Sequence, residues 1–122
     1  MALIGINVNE TTKYIPEKER GVENPTTFHI GVLTNRDRLE LGGMFEEVKD
    51  NKLKAAMFGW ELIKKCVKKI ENVIDPVSKE MRSYDKIDDA VLMMFSNDEE
   101  VLIEVAGKIQ EFNNLSTTEA KN

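Results

Sequence analysis

The stretch LKAAMFGWELIKKCVKKIENVI, residues 53–74, has the strongest periodic pattern in the chain and decides the predicted fold. Its apolar residues recur at steps of three and four, which places them on one face of an α-helix of about six turns. Asp75 and Pro76 should end this helix, because proline lacks a backbone donor and restricts the residue before it. The apolar residues are Leu53, Ala56, Met57, Trp60, Ile63, Val67, Ile70 and Ile74.

Apolar residues alternate with small or polar ones in residues 1–8 and again in residues 26–33, which is the period of a half-buried strand. Residues 9–25 are polar and are interrupted by proline and glycine, so they predict a long surface loop. We expect the two strands to pair in a small antiparallel sheet. The alternating apolar residues are Ile4, Ile6, Val8, Phe28, Ile30 and Val32.

Between the second strand and the long helix, the sequence predicts a weaker helix. Thr34 is a residue type that often caps a helix N-terminus, because its hydroxyl accepts a hydrogen bond from a free backbone N–H. Gly42 and Gly43 should interrupt or end the helix. The apolar residues at helical spacing after Asn35 are Leu39, Leu41, Met44, Phe45 and Val48.

The C-terminal part predicts a connection and two helices. Residues 77–84 have no clear period and are interpreted as a connection, and residues 87–95 trace a short helix. Ser96 and Glu99 have the spacing of a capping box, which should open a final helix that ends at Asn113. The apolar stripe of that helix consists of Val101, Leu102, Val105, Ile109 and Phe112.

The length of 122 residues fits one compact domain. In this prediction, residues 1–33 form a strand and loop region, residues 34–114 form a helical region, and residues 115–122 form a flexible tail. The predicted fold class is α+β and mostly helical. A small antiparallel N-terminal sheet is expected to precede a helical C-terminal two thirds.

Composition and charge exclude several classes of protein. With 41% hydrophobic and 32% charged residues, the chain is expected to be neither disordered nor membrane-spanning. It carries 22 acidic and 17 basic residues and a net charge of -5, which argues against general affinity for nucleic acid or an anionic membrane. The N-terminus has no signal-peptide pattern, so we expect the protein to stay in the cytoplasm.

The sequence offers no recognisable catalytic or metal site. Cys66 is the single cysteine and cannot form an intrachain disulfide, and its helical spacing between apolar residues predicts a buried structural role. His29 is the single histidine and lies on the polar face of a predicted strand, without a nucleophile motif nearby. One cysteine and one histidine also fall short of a structural zinc site. We therefore predict no enzyme activity, no metal and no cofactor.

A run of lysines is the clearest charge feature of the predicted long helix, where only Glu61 opposes it. A solvated helix face is the simplest interpretation. If the run is a partner site, with Lys64, Lys65 and Lys68 at its centre, an acidic protein is favoured over nucleic acid, because no arginine or aromatic residue interleaves the lysines. The run consists of Lys52, Lys54, Lys64, Lys65, Lys68 and Lys69.

A second candidate partner site consists of Phe58, Met93, Met94 and Phe95. Phe58 falls off the apolar stripe of the long helix, on which Met57 and Trp60 are expected to be core residues, and the other three are consecutive, so not all can point inward. Flexible methionines and aromatics at a surface are typical of an adaptable groove for a partner helix. They could also join copies of the chain into a homo-oligomer. The alternative is a large core.

Five short stretches follow one another along the chain: YIPEKER (14–20), ENPTTFHIGVLTNRDRLEL (23–41), FGWELI (58–63), ENVIDP (71–76) and IQEFNNLSTTEAKN (109–122). Their order resembles the tail assembly chaperones of long-tailed phages. Here Pro76 follows Asp75, where members of that family often have a glycine, so the geometry of this loop should differ. The positions that match the family pattern are Pro25 to Phe28, Leu33 and Thr34, Trp60, and Asn114 to Ser116.

The resemblance implies a small non-enzymatic protein of a phage or prophage. Such a protein coats the tape measure protein, or binds another tail protein, while the tail tube polymerises, and it is absent from the finished particle. It would act in the cytoplasm of the host cell. Two rival functions are a small nucleic-acid-associated regulator that uses the lysine-rich face of the long helix, and an enzyme with a site at His29.

Overall fold

The computed structural model of the protein describes residues 9–47 and 52–113, together with Leu3 and Asn7. Apart from those two residues, the strand predicted in residues 1–8 lies outside this part of the chain, and so does the tail predicted in residues 115–122. The elements are β1 (Thr11–Tyr14), a 3-10 helix (Glu17–Glu19), β2 (Thr27–Gly31), α1 (Asn35–Glu47), α2 (Lys52–Cys66), β3 (Val67–Ile74), β4 (Met81–Tyr84), α3 (Asp89–Met93) and α4 (Glu99–Phe112).

The four strands form one antiparallel sheet in the order β1-β2-β3-β4. Its strands are spread along the chain as far as Tyr84, with α1 and α2 between β2 and β3. The expected arrangement, a small N-terminal sheet followed by a helical C-terminal two thirds, is therefore wrong. The fold is a mixed α+β fold with α2 and α4 packed against each other and against the central strands.

The helix predicted over residues 53–74 is wrong from Val67 onward, where β3 begins directly after α2. The buried residues of β3 are Val67, Ile70 and Val73, which are three residues apart. A regular strand buries every second residue, whereas a helix buries residues three or four apart. The spacing in β3 therefore continues the period of α2, and this made the whole stretch look helical.

A first bulge in β3 produces part of this spacing. The register between β2 and β3 shifts between His29 and Ile30. Their partners in β3 are Lys69 and Val67, so Lys68 is an extra residue on that strand. An extra residue in one strand turns the following side chains to the other face of the sheet.

A second bulge lies on the β4 side of the same strand. Ile70 pairs with Tyr84 and Val73 pairs with Arg82, so β3 again contains one residue more than its neighbour over this interval. Asn72 lies in the interval with a φ of 62°, a left-handed conformation that asparagine tolerates better than most residues. Because of these two bulges, the buried residues of β3 are three positions apart rather than two.

Two further predictions are wrong at the edge strands β1 and β4. β1 lies within the loop predicted over residues 9–25, and β4 lies within the connection predicted over residues 77–84. Most residues of both strands are exposed, so no buried alternation marks them in the sequence. β2 confirms the strand predicted in residues 26–33, and its neighbours in the sheet are β1 and β3.

Thr34 caps α1, as predicted. Its hydroxyl oxygen accepts a hydrogen bond from the backbone N–H of Asp37 at 3.2 Å, and the Asp37 carboxylate accepts one from the N–H of Thr34 at 3.1 Å. This reciprocal pair is a capping box. The helix continues through Gly42 and Gly43 to Glu47, so the expected interruption at the glycines is wrong.

The structure confirms both C-terminal helices but not the predicted capping box. The Asp88 carboxylate caps α3 by accepting the N–H of Val91 at 3.0 Å. The hydroxyl of Ser96 donates to the carbonyl of Met93 at 2.6 Å and does not cap α4. α4 begins after Asp98, whose side chain binds Lys18, and it ends at Asn113 as predicted.

Tyr14 fastens β1 to α4. Its hydroxyl donates to the Glu104 carboxylate, which also accepts the backbone N–H of Glu17 at 2.9 Å. Burial and the adjacent Glu104 carboxylate raise the pKa of Tyr14 to about 12. This contact holds the edge strand and the 3-10 helix against the helical layer.

The apolar core lies between the sheet and the helices. The rings of Phe28 and Phe95 meet there in a tilted arrangement, with their centroids 5.8 Å apart. Such aromatic pairs stabilise a core beyond the apolar area that they bury. The largest fully buried apolar side chains are Phe28, Ile30, Leu33, Leu62, Ile63, Ile70, Leu92, Val105 and Ile109.

Candidate partner-binding groove

The four apolar candidates from the sequence do not form one surface patch. Phe58 and Phe95 are buried in the core, with 4% and 7% of their surface exposed, and Met94 is partly buried against the core. Met93 is 56% exposed. Met94 and Phe95 also line a surface hollow beside Met81 of β4. The burial of Phe58 and Phe95 agrees with the alternative of a large core, although Phe58 falls off the apolar stripe that the sequence indicates.

The reason lies in the phase of α2. If residues 67–74 are counted as part of the helix, the apolar stripe of the predicted helix passes through Met57. In the structure, Met57 is more than half exposed. The buried face of α2 instead includes Phe58, Leu62 and Cys66, at steps of four. Met57 is therefore not the core residue that the sequence predicted, whereas Trp60 is partly buried against the core.

The lysine run does not form one helix face. Lys64 lies 3.0 Å from the Glu61 carboxylate and 3.1 Å from that of Asp89, and Lys65 binds Glu40. Hydrogen bonds to these carboxylates raise the pKa of both lysines. Lys68 belongs to β3 and donates to the carbonyl of Lys65 at 3.1 Å. The run is thus divided between a partly neutralised part of α2 and the sheet.

A groove of about 480 Å³ lies between α2 and α4. Both helices contribute small residues to its lining, which also includes the partly buried Trp60 and the exposed Ile103. Glu99 and Gln110 are the polar residues of the lining. The remaining lining residues are Ala55, Ala56, Gly59 and Ile63 of α2 and Leu102, Ala106 and Gly107 of α4.

The two glycines of the groove are not required by the packing of the described residues. A Cβ atom at Gly59 would lie 3.6 Å from that of Ala106, which is an ordinary contact, and one at Gly107 would have no neighbour within 4 Å. Glycine in a helix costs about 1 kcal/mol relative to alanine. What the glycines provide is an open, apolar groove. Its sequence signal is the small residues at 55, 56, 59, 106 and 107, which our sequence analysis missed.

An apolar groove of this kind fits an apolar polypeptide segment. Small residues let a second helix approach closely, and its larger side chains can fill the space that Gly59 and Gly107 leave. In the described part of the chain, no group of three or more histidine, cysteine, aspartate or glutamate residues is placed to hold a metal ion. The groove therefore offers a binding surface rather than a set of reactive groups.

The two residues with catalytic potential lie apart from the groove lining. His29 of β2 binds the Glu71 carboxylate across the sheet and is partly buried. Cys66 is fully buried, as predicted, and this burial raises the pKa of its thiol to about 12. The reactive thiolate is thus strongly disfavoured at neutral pH.

The raised pKa of Cys66 gives a testable dependence of stability on pH. An unfolded thiol ionises near pH ~8.5, whereas the folded one stays protonated to about 12. Its contribution to stability is complete below the unfolded pKa and falls above it, by about 1.4 kcal/mol per pH unit. In urea titrations from about pH 9 to 11, stability should fall with pH more steeply in the protein than in Cys66→Ala, by this amount, while Tyr14 and the lysines contribute equally to both. Equal slopes would contradict the prediction.

Comparisons with known proteins give no relative. No protein-family model, curated protein or solved structure matches the chain. Among the described residues, no helix has both the length and the apolar character needed to cross a membrane. The groove between α2 and α4 is therefore the feature from which a function can be inferred.

Proposed function

We propose that this protein is a non-enzymatic binding protein that holds an apolar helix of a partner in the groove between α2 and α4. On the resemblance of its sequence stretches to phage tail assembly chaperones, the partner is a tape measure protein, bound in the host cytoplasm during tail assembly. The observation that carries the binding proposal is the pair of glycines that keep the groove open without being needed by the packing.

The lining of the groove supports a helical occupant. Ile103 is 72% exposed beside it, and covering such a side chain by a partner gains about 1.5–3 kcal/mol. Glu99 lies at the first turn of α4, so the occupant should carry a lysine or arginine where it passes this residue. Trp60 links the groove to the resemblance, because it belongs to the FGWELI stretch.

The test is co-expression with the very long helical protein encoded nearest to this chain, followed by capture on a tag of that protein. Gly107→Leu fills the groove, and we expect it to reduce capture by about tenfold, which corresponds to about 1.4 kcal/mol. Its fold should be retained, because the added side chain enters open space and leucine favours a helix. The melting temperature of the variant shows whether the fold is retained.

Gly42→Leu is the matched control. Gly42 is also exposed on a helix, α1, and a Cβ atom there would have no described neighbour within 4 Å. Capture by this variant should equal that of the wild type. Equal capture by both leucine variants would exclude the groove as the binding site. If the unaltered chain is not captured at all, the tape measure protein is not its partner.

A further inference from the structure

A row of basic residues crosses the sheet on the face opposite the core. Lys13 of β1 pairs directly with His29 of β2, and His29 pairs with Lys69 of β3. The neighbours Tyr14, on β1, and Phe28, on β2, also pair with each other, and they point to the opposite face because successive side chains of a strand alternate. Three basic side chains thus stand side by side on adjacent strands, about 5 Å apart.

Within the described part of the chain, Glu71 offsets the positive charge of this row only in part. The Glu71 carboxylate binds His29, and this hydrogen bond is the main cause of the lowered pKa of Glu71. The charges of Lys69 and Lys13 lower the pKa of Glu71 further, by smaller amounts. Neither lysine has a carboxylate within ion-pair distance among the described residues. Lys13 and Lys69 flank His29 on the two neighbouring strands, so their charges stay available to a partner.

A hollow at the β1 edge continues the basic face. Its volume is about 490 Å³, and it is lined by Lys13, Tyr14, Ile15, Arg20, Thr27 and Glu71. The guanidinium of Arg20 lies at the edge of this face, where it donates to the carbonyl of Ile15 at 3.2 Å and stands over the Tyr14 ring, 5.8 Å from its centroid. The face thus combines two exposed lysines with a positioned arginine, a group that binds carboxylates with defined geometry.

We propose that this face of the sheet binds an acidic segment of a partner protein. Charge complementarity favours this partner, because Lys13, Lys69 and Arg20 are positive on a chain whose net charge is -5. The same net charge, together with Glu71 inside the face, opposes the dense charge of nucleic acid. The row itself has no aromatic side chain on which a base could stack. Tyr14 in the hollow already has the cations of Arg20 and Lys108 over its ring, at 5.8 and 5.6 Å from the centroid. The proposal is independent of the groove, which lies between α2 and α4.

The test measures binding of a fluorescent polyglutamate peptide to the full chain by anisotropy, at low and at physiological salt. The wild type should bind, and salt should weaken the binding. The double variant Lys13→Glu with Lys69→Glu should bind about tenfold more weakly or worse. Both lysines are exposed, so the circular dichroism spectrum and the melting temperature should stay close to those of the wild type.

The double variant Lys79→Glu with Lys86→Glu is the matched control, because it changes the net charge equally at exposed positions away from the row. It should bind the peptide nearly as well as the wild type. Equal losses in both double variants would show an effect of net charge alone and would overturn the proposal. Absence of binding at low salt would overturn it as well, as would tighter binding of single-stranded DNA than of the peptide. Capture through the groove should be unaffected by either double variant.

Discussion

Replacing Phe28 with alanine is expected to lower the free energy of unfolding by about 3–5 kcal/mol. Phe28 is fully buried in β2, its neighbours across the sheet are Tyr14 and Ile70, and its ring packs on Phe95 of the helical layer. The substitution removes contacts on both layers and leaves a cavity between them. Since a small domain is stable by about 5–15 kcal/mol in total, much of that stability would be lost.

Urea unfolding followed by circular dichroism measures this effect. Phe112→Ala is the matched control, because Phe112 is also a phenylalanine but lies 36% exposed at the end of α4. We expect it to cost about 1 kcal/mol or less. Similar losses in both variants would mean that Phe28 does not occupy the centre of the core.

The second large effect is expected for Asn113→Ala, with a loss of about 2–3 kcal/mol. The Asn113 side chain is buried and accepts the backbone N–H of Leu33 at 2.8 Å. Its amide nitrogen donates to the carbonyls of Gly31 at 3.3 Å and Ile109 at 3.0 Å. Alanine would leave the N–H of Leu33 without its partner in the described structure, at the point where β2 leads into α1. A buried backbone donor without a partner is costly.

Thermal and urea unfolding of Asn113→Ala should be compared with those of Asn97→Ala. Asn97 is exposed in the turn between α3 and α4, so its replacement should change stability by about 0.5 kcal/mol at most. Equal stability of the two variants would show that the Asn113 contacts do not hold the end of β2 to α4.

The parts of the fold that the sequence predicted have local causes. Thr34 begins α1 through a side-chain cap, and the apolar stripe of α4, including Val105 and Ile109, faces the core as its spacing indicates. β2 has a regular alternation through Phe28 and Ile30. In each case the evidence lies within a few consecutive residues, so the pattern and the structure agree.

The missed parts depend on residues far apart in the chain. The sequence of β3 predicts a helix because the bulges, which pairing with β2 and β4 creates, bury Val67, Ile70 and Val73 at steps of three. The edge strands have no apolar alternation, because their neighbours and the solvent, rather than the core, surround most of their residues. No local pattern could identify these three strands.

The candidate groove was missed for a similar reason. Its glycines, Gly59 and Gly107, are 48 positions apart, and only the packing of α2 against α4 brings their helices together. The basic face likewise combines Lys13 with Lys69 through strand pairing. Sequence reasoning instead grouped Lys64, Lys65 and Lys68 by their nearness in the chain.

β3 begins at Val67, directly after α2 ends at Cys66, so the junction has no loop that could accept an additional residue. An added residue would rotate the helix relative to the strand by about 100°, or move every later side chain of β3 to the opposite face. The first change would turn Phe58 and Leu62 of α2 out of the core, and the second would do the same to Ile70 and Val73 of β3. Insertions should therefore be tolerated far better in the exposed turn between β3 and β4, which makes that turn the place to attach a label without disturbing the groove.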